Sequence, residues 1–343
     1  MGEYARSLAI AQAAKRRWQQ ADIHFILSRQ APYAAAAPFP ATLLASSPTF
    51  HSAAVIGLIE KLKPHIVIFD NAGRTAQLRF ASSAGARVVY ISARSRQRRR
   101  AFRWAWMQLL DEHWIAYPEF IAGRLNFLER FKLRMLRRPV VRYLDVVLSQ
   151  GTASQRDSIL SRAGFMSGTY VLVVPGGGTG HPRARDAIAQ FLAAASALAR
   201  SGIATVFIGP RNGPLAGSAD APSAATPLRC IDSLRQSDLM ELMRGARLIL
   251  ANGGSTLLQA IACGGACVAI PIARDQVGRI RRCVAAAVAV EAKLDAASIV
   301  RAATMLLQDE ASRAALAQRA TGLALADGVE TALGALAGLI GTE

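Results

Sequence analysis

A buried strand that turns directly into a helix through glycine is the feature that most constrains the fold of this chain. Residues 248–251 form an apolar run typical of a buried strand, and residues 257–263 are typical of a helix. Between them lie Asn252, Gly253, Gly254, Ser255 and Thr256. Such a turn leaves free backbone N–H groups at the positive end of the helix dipole, where an anion such as phosphate is favoured. The turn therefore predicts an α/β domain with an anion site at the carboxyl end of a strand.

A second glycine-rich loop strengthens this interpretation. The apolar run 170–175 is followed by Gly176-Gly-Gly-Thr-Gly-His181 and then by a helix-compatible segment. One glycine turn is weak evidence of a site, but two strand–glycine–helix units can face the same ligand. A third strand, predicted at residues 266–270, precedes the polar pair Asp275 and Gln276. Loops of this kind at the ends of parallel strands hold a nucleotide and an attached sugar in α/β proteins.

Alternation of short Val/Ile/Leu-rich strands with Ala/Leu-rich helices runs along the whole chain, which favours two doubly wound, Rossmann-like α/β domains. A chain of 343 residues is long enough for both to bury a core. Gly, Ser and Thr accumulate near residues 146–168, so we place an N-terminal domain at 1–150 and a C-terminal domain at 151–343. The predicted strands lie near residues 23–27, 66–70, 88–92, 113–117, 170–174, 205–209, 228–231, 248–251, 267–270 and 288–290.

Residues 168–325, with the Gly-Gly-Ser-Thr turn and the Asp-Gln pair, resemble the donor-binding domain of GT-B glycosyltransferases. The pattern is similar to that of glycosyltransferase family 28, the N-acetylglucosaminyltransferases that form lipid II, and to nucleotide-sugar hydrolases of pseudaminic acid synthesis. The resemblance implies two domains facing a cleft, with a nucleotide-sugar, expected to be UDP-linked, on the C-terminal domain. It also implies that the last helix crosses back to the N-terminal domain.

The resemblance assigns roles to individual residues. Gly253, Gly254, Ser255 and Thr256 would hold the diphosphate, and Asp275 and Gln276 would hold sugar hydroxyls. Gln259 stands where the family has a glutamate for the ribose, which is a departure from the pattern. The full predicted donor-binding set is Gly176, Gly177, Gly178, Thr179, His181, Arg211, Ile231, Asn252, Gly253, Gly254, Ser255, Thr256, Gln259, Asp275 and Gln276.

Two carboxylates are candidates for a catalytic base. Related enzymes begin with a strand and a Gly-His loop; here Gly2 and Glu3 match Gly-His, so the first strand is expected to be missing. Glu3 could take a proton from an acceptor hydroxyl, or it could simply favour the first turn of a helix. Asp70 follows the strand predicted at 66–70, where ligands of open α/β sheets bind. It could equally cap a turn.

Positive charge is concentrated in one segment. The net charge is +18, and residues 94–142 hold about half of the excess. Basic side chains interleaved with aromatic ones are attracted to anionic membranes, and the predicted contacts are Arg98, Arg99, Arg100, Phe102, Trp104 and Trp106. The alternative is that the apolar residues pack in the core while the arginines are solvated. Nucleic acid is a poor candidate partner because no nucleic-acid-binding motif is present.

The remaining features restrict cofactors and location. The four cysteines show no zinc or redox spacing and are expected to be free, buried thiols in a reducing cytosol. The sequence has no Asp-x-Asp motif that could hold a metal ion, so we expect no metal and no cofactor; the nucleotide-sugar would be a substrate. We find no signal peptide and no apolar run of about 20 residues. The expected location is the cytoplasm, peripheral on the inner face of the cell membrane.

These features together predict an inverting, metal-independent glycosyltransferase of bacterial envelope glycan synthesis. It would move a sugar from a nucleotide-sugar to a hydroxyl of a lipid-linked or glycan acceptor. Two alternatives stay open at this point. One is a nucleotide-sugar hydrolase on the same scaffold, and the other is a catalytically silent, membrane-associated subunit.

Overall fold

The computed structural model describes residues 2–31, 33–34, 37–148, 153–176, 184–209, 227–232 and 234–341. The chain divides into two compact units. The N-terminal unit comprises Gly2–Val147 together with Ala326–Glu343, and the C-terminal unit comprises Leu148–Leu325. Each unit consists of parallel strands joined by helices, which confirms the predicted pair of Rossmann-like folds.

The N-terminal unit has a four-stranded parallel sheet in the order β3-β4-β5-β6 and a separate parallel pair, β1-β2. The first helix and the last helix of the chain, α1 and α15, share one hydrophobic cluster with β4 and β5. Its elements are α1 Gly2–Arg17, β1 Phe25–Ser28, β2 Ala41–Leu44, α2 Ser52–Leu62, β3 Ile66–Asp70, α3 Thr75–Ser83, β4 Arg87–Ser92, α4 Ser95–Ala101, α5 Trp104–Met107, β5 Glu112–Ile115, α6 Glu119–Ala122, α7 Phe127–Leu136, β6 Val140–Tyr143 and α15 Gly328–Ile340.

The C-terminal unit has a six-stranded parallel sheet in the order β12-β11-β10-β7-β8-β9. The strand order reverses between β7 and β10, and ligands of such sheets bind at the carboxyl ends of the strands at this switch point. Its elements are α8 Ala153–Ala163, β7 Val171–Val174, α9 Ala184–Arg200, β8 Thr205–Ile208, β9 Leu228–Ile231, α10 Gln236–Gly245, β10 Leu248–Asn252, α11 Ser255–Ala262, β11 Cys267–Ile270, α12 Arg274–Ala285, β12 Val290–Glu291, α13 Ala296–Gln308 and α14 Glu310–Gly322.

Burial explains why the central strands could be predicted from sequence. Strands β7, β10 and β11 are fully buried along their length, and continuous apolar runs are typical of parallel strands covered on both faces. Two strands were not predicted, β2 and β6. Each has only four residues, and none of them is fully buried, so neither carries that pattern.

All four cysteines are free thiols, as expected. Burial raises the pKa of Cys263 to about 11 and that of Cys283 to about 12. A thiol with such a pKa carries little thiolate near neutral pH and is a poor nucleophile. Within the described ranges, no helix combines the length and the apolar character needed to cross a membrane.

Candidate functional site

Asn252 joins the two strands at the switch point of the C-terminal sheet. It ends β10 and is only 5% exposed. Its Nδ2 donates to the carbonyl of Pro175, directly after β7, at 2.5 Å. Its Oδ1 accepts from the backbone N–H of Gly254 at 2.6 Å. One amide side chain therefore links the carboxyl ends of β7 and β10 and fixes the shape of the turn after β10.

The glycines of these loops are required by space. A Cβ at Gly176, which has φ +82°, would lie 1.8 Å from Nδ2 of Asn252. A Cβ at Gly254 would lie 2.6 Å from Oδ1 of the same side chain. At Gly253 it would lie 2.6 Å from Cδ1 of Ile280. Real Cβ atoms do not approach other atoms so closely, so a side chain at any of these positions would displace the side chain of Asn252 or of Ile280.

Helix α11 starts at Ser255, immediately after this turn. Ser255 is exposed, whereas Thr256 and Gln259 are half-buried. Because the first N–H groups of a helix have no partner within it, they and the two hydroxyls are placed to receive an anion. The sequence predicts Gly253, Gly254, Ser255 and Thr256 to form an anion-binding turn. The structure places them between β10 and the first turn of α11, a geometry that suits an anion.

Helix α12 adds a residue that the sequence analysis did not identify. Nη1 of Arg279 donates to the carbonyl of Gly253, which brings a guanidinium group to the turn. Arg279 lies one turn after Gln276 on α12. A basic residue one helical turn after the predicted Asp-Gln pair is the sequence feature that could have identified it. Gln276 is 9% exposed, and its Oε1 accepts from the N–H of Ile272 at 3.0 Å. Asp275, in contrast, is exposed in the first turn of the helix.

The rest of the predicted donor-binding set is less informative. Ile231 ends β9 and is half-buried, and its carbonyl accepts from the N–H of Gly209 at 2.9 Å. This strand is at the edge of the sheet, separated from β7 by β8. The predictions for Gly177, Gly178, Thr179, His181 and Arg211 lie outside the described residues.

In the N-terminal unit, Asp70 ends β3 and is engaged by helix α1. Arg6 donates to both carboxylate oxygens, from Nη2 at 2.5 Å and from Nε at 3.1 Å. Ser7 Oγ donates to Oδ2 at 3.0 Å. The Asp70 side chain is 10% exposed. Burial raises the pKa of Asp70, and the adjacent Arg6 opposes that rise. Both oxygens of Asp70 are thus occupied by partners from the same helix.

Glu3 has a different environment at the same edge of the sheet. It is exposed in the first turn of α1. Its Oε1 accepts from Nδ2 of Asn71 at 2.7 Å. The structure thus brings both predicted carboxylates, Glu3 and Asp70, to the carboxyl end of β3, but it leaves only Glu3 accessible.

The basic segment requires a correction. Phe102 and Trp106 are 3% and 4% exposed and pack in the core of the N-terminal unit, with Trp106 Nε1 donating to Thr75 Oγ1 at 3.0 Å. Arg98 forms an ion pair with the buried Glu129 at 2.7 Å and also donates to backbone carbonyls. These three side chains cannot contact a membrane from these positions, so the prediction was wrong for them. Trp104 is 44% exposed.

Most of the exposed large apolar residues between positions 94 and 142 lie instead on helix α7. Phe127, Leu128, Phe131 and Met135 are between 49% and 73% exposed. Phe127, Phe131 and Met135 are four residues apart, and Leu128 lies three before Phe131, so all four lie along one side of the helix. We call these four residues the α7 stripe. The helix also carries the exposed Arg130 and Arg134.

Within the described ranges, no group of three or more His, Cys, Asp or Glu side chains is arranged to hold a metal ion.

Solved structures share this fold. UGT2 of Phytolacca americana, complexed with UDP-2-fluoro-glucose and pterostilbene, is 13% identical with a TM-score of 0.68, covering 98% of this chain and 97% of that one. MurG of Acinetobacter baumannii is 13% identical with a TM-score of 0.63, covering 96% and 94%. A putative UDP-N-acetylglucosamine 2-epimerase from Listeria monocytogenes is 13% identical with a TM-score of 0.58, covering 98% and 92%. The predicted GT-B fold is confirmed.

The sequence itself matches one family. No curated protein matches it, but the family model described as UDP-N-acetylglucosamine 2-epimerase matches residues 142–325, more than half of the 343 residues. The matched region contains the switch point, the turn after β10 and helix α12. The chain therefore belongs to the UDP-N-acetylglucosamine 2-epimerase family.

Proposed function

We propose that this protein is an inverting glycosyltransferase that moves a sugar from a UDP-sugar to an acceptor hydroxyl. The observation that carries the proposal is the turn after β10. There the helix N-terminus of α11, two glycines without room for a Cβ and the guanidinium of Arg279 converge at the switch point of the sheet. Such a combination suits a diphosphate.

Departure of the diphosphate is the step that this turn would assist. As the bond between the anomeric carbon and the diphosphate oxygen breaks, negative charge accumulates on the diphosphate. The N–H groups of the first turn of α11, the hydroxyls of Ser255 and Thr256 and the Arg279 guanidinium would stabilise that charge without reorganising. Gln259 would hydrogen-bond the ribose, and the exposed Asp275 would hold a sugar hydroxyl. Gln276 would then contribute only its Nε2 group to the sugar, since its Oε1 is engaged by Ile272.

Glu3 is the better candidate for the base. A base needs a free lone pair within reach of the acceptor proton. Glu3 is exposed, whereas both oxygens of Asp70 accept hydrogen bonds from Arg6 and Ser7. In the proposed reaction, Glu3 takes the proton of the acceptor hydroxyl, and the oxygen attacks the anomeric carbon from the face opposite the diphosphate. The configuration at that carbon is inverted.

A second candidate is supported by the family match over residues 142–325. In a 2-epimerase reaction, the same turn would bind a UDP-N-acetylhexosamine, and configuration would change at C2 of the sugar without an acceptor. Hydrolysis of the nucleotide-sugar by water is the third outcome on the same scaffold. All three reactions need the diphosphate site, so they differ only in what happens to the sugar.

One experiment separates them. The purified protein is incubated with UDP-N-acetylglucosamine and a panel of other UDP-sugars, with and without a bacterial membrane extract as the source of acceptor. The proposal predicts release of UDP only when the extract is present. UDP release without extract indicates hydrolysis, and a new UDP-N-acetylhexosamine without UDP release indicates epimerisation. Tight UDP binding with no conversion under any condition would contradict all three reactions.

An acceptor linked to lipid is part of this proposal, and the α7 stripe supports it. Exposed aromatic and aliphatic side chains beside Arg130 and Arg134 complement an anionic lipid surface by both burial and charge. We expect the protein to co-sediment with vesicles that contain phosphatidylglycerol, less so as salt rises.

The stripe can be tested against a matched control. The double variant Phe131→Ser/Met135→Ser should lose most vesicle binding. Met305→Ser should not, although Met305 is an equally exposed apolar residue on helix α13 of the C-terminal unit. Equal vesicle binding by both variants would remove the stripe, and with it this support for a lipid-linked acceptor.

A further inference from the structure

We propose that Asn71 is a positioning residue that holds the Glu3 carboxylate in place for proton transfer. This inference rests on the proposed function, because it gives Glu3 the role of the base. The observation behind it is that the side-chain amide of Asn71 makes two hydrogen bonds, one to Glu3 and one to the backbone of Ala93.

The backbone of Asn71 is in an unusual conformation. Its φ is +52°, in the left-handed region that most side chains avoid but that asparagine tolerates. Its N–H donates to the carbonyl of Ile91 at 2.9 Å, which ties the residue to the end of β4. The backbone that carries this side chain is therefore held between the ends of β3 and β4.

The amide of Asn71 has a defined orientation. Its Oδ1 accepts from the backbone N–H of Ala93 at 2.8 Å. Because a backbone N–H can only donate, the oxygen must face Ala93, and the NH₂ group must face the other way. That group donates to Oε1 of Glu3 at 2.7 Å. The orientation of the donor to Glu3 is thus fixed by a contact on the opposite side.

This contact leaves Glu3 suited to act as a base. Within the described part of the chain, Oε2 of Glu3 has no hydrogen-bond partner, so one oxygen is held and the other is available for a proton. An amide donor satisfies a carboxylate oxygen without adding charge, whereas an arginine partner would suppress its basicity. Asp70 differs because both of its oxygens already accept hydrogen bonds, from Arg6 and Ser7.

Several charged and titratable groups surround Glu3 and bear on any pH effect. On its own helix are Arg6 and Tyr4, and Asp70 faces it from β3. Burial raises the pKa values of Tyr33, in the segment before β2, and of Tyr90, on β4, and the nearby charge of Glu3 adds to both. Because Arg6 neutralises Asp70, a new carboxylate at position 71 would be the nearest uncompensated negative charge to Glu3.

Two substitutions separate positioning from a merely structural role. Asn71→Gly keeps the left-handed backbone at no steric cost but removes both side-chain hydrogen bonds. Asn71→Asp keeps an acceptor for the Ala93 N–H and replaces the donor to Glu3 with a second carboxylate. A structural role needs only the Ala93 contact, so it predicts that Asn71→Asp behaves like the unaltered protein.

Positioning predicts a different result for Asn71→Asp. The readout is kcat and kcat/KM for extract-dependent release of UDP from the UDP-sugar that gives the highest rate in the panel, measured from pH 5 to pH 9. We expect kcat at pH 7 to fall by about 10- to 100-fold through misplacement of the base. We also expect the acidic limb of the pH profile to move to higher pH, because paired carboxylates disfavour the second charge. UDP affinity should be unchanged. An unshifted profile with normal kcat overturns the inference.

The Glu3→Gln background supplies a test that does not depend on the aspartate variant folding. If Asn71 acts through Glu3, Asn71→Gly lowers kcat in the unaltered protein but has no further effect in Glu3→Gln. Effects that add fully would overturn the inference while leaving Glu3 as the base. A Glu3→Gln variant with normal kcat would instead overturn the proposed function of Glu3.

Discussion

Both sheets have a candidate site at the carboxyl ends of their parallel strands, but the two sites consist of different chemical groups. In the C-terminal unit, the candidate site is shaped by the backbone of Gly253 and Gly254, which have no room for a side chain, with the Arg279 guanidinium beside them. In the N-terminal unit, the site consists of charged side chains, with Asp70 paired to Arg6 and Glu3 held by Asn71.

This difference determines what each site can tolerate. A site made of backbone N–H groups depends on space, so the smallest added group disturbs it even when charge is unchanged. A site made of paired charges depends on atom identity, so an isosteric change can remove its function without altering its shape. The comparison therefore predicts that steric variants will act in the C-terminal unit and isosteric variants in the N-terminal unit.

The largest expected effect is on the two carboxylates of the N-terminal unit. Glu3→Gln should lower the transfer rate by about 10²- to 10⁴-fold, the usual contribution of a general base, with unchanged thermal stability.

Asp70→Asn should act mainly on the free energy of unfolding, because it leaves the buried guanidinium of Arg6 without a compensating charge, at a cost of about 3 kcal/mol. Initial rates and thermal unfolding of both variants measure the two effects.

The opposite pattern would reverse the assignment. If Asp70→Asn lost the rate at normal stability, Asp70 would be the base, and Glu3 would serve only the first turn of α1. If neither variant lost rate, the inverting mechanism would fail.

A smaller but more local effect is expected from one methyl group in the C-terminal unit. In Gly254→Ala, the new Cβ would meet Oδ1 of Asn252 at 2.6 Å and would disturb the bond that shapes the turn. We expect UDP affinity, measured by calorimetry, to fall by about 10-fold or more, equivalent to at least about 1.4 kcal/mol. Gly278→Ala, on the same unit, is the control, because nothing lies within 4 Å of its Cβ position.

Equal UDP affinities of the two alanine variants would show that space at position 254 is not a requirement. The backbone-built interpretation of the turn would then be wrong, and the anion would have to bind elsewhere on the unit.

The backbone-built site is easier to predict from sequence than the charge-built one. Glycine turns after buried apolar strands are local patterns, so the amino-acid sequence alone places Asn252, Gly253 and Gly254 at the end of a strand. The partners of the charged residues are distant in sequence: Arg6 and Asp70 are 64 positions apart, and Glu3 and Asn71 are 68 apart. Nothing local indicates which carboxylate is enclosed.

The same limit explains the errors in the basic segment. Arg98, Phe102 and Trp106 have the composition of a membrane-binding surface, but composition does not reveal which side of a short helix meets the core. Arg98 is bound by Glu129 and by carbonyls of residues 122–124, all more than 20 positions away. On the longer helix α7, the exposed residues can be grouped only once its capping residue, Asn126, fixes its start.

The smallest expected effect sharpens the comparison between the interiors of the two units. The N-terminal sheet encloses a titratable side chain, His113 on β5, which is fully buried and bonded through Nε2 to Ser92 Oγ at 2.8 Å. Burial lowers the pKa of His113 to about 3, and the nearby Arg98 adds to this. The C-terminal unit also buries titratable side chains, but these are the carboxylates of Asp238 and Glu241, which are paired with Arg235 and Arg244.

The sign of the pH effect follows from these pKa values. Below the ordinary pKa of 6.5, the unfolded chain protonates His113, while the folded protein keeps it neutral until about pH 3. Stability is therefore lost as pH falls from 6.5 towards 3, by about 1.4 kcal/mol between pH 7.5 and pH 5.5. Thermal unfolding at these two pH values should show a larger loss for the unaltered protein than for His113→Gln. The control, His65→Gln, alters an exposed histidine and should behave like the unaltered protein. If His113→Gln lost as much stability as the unaltered protein, the buried histidine would not be the source of the loss.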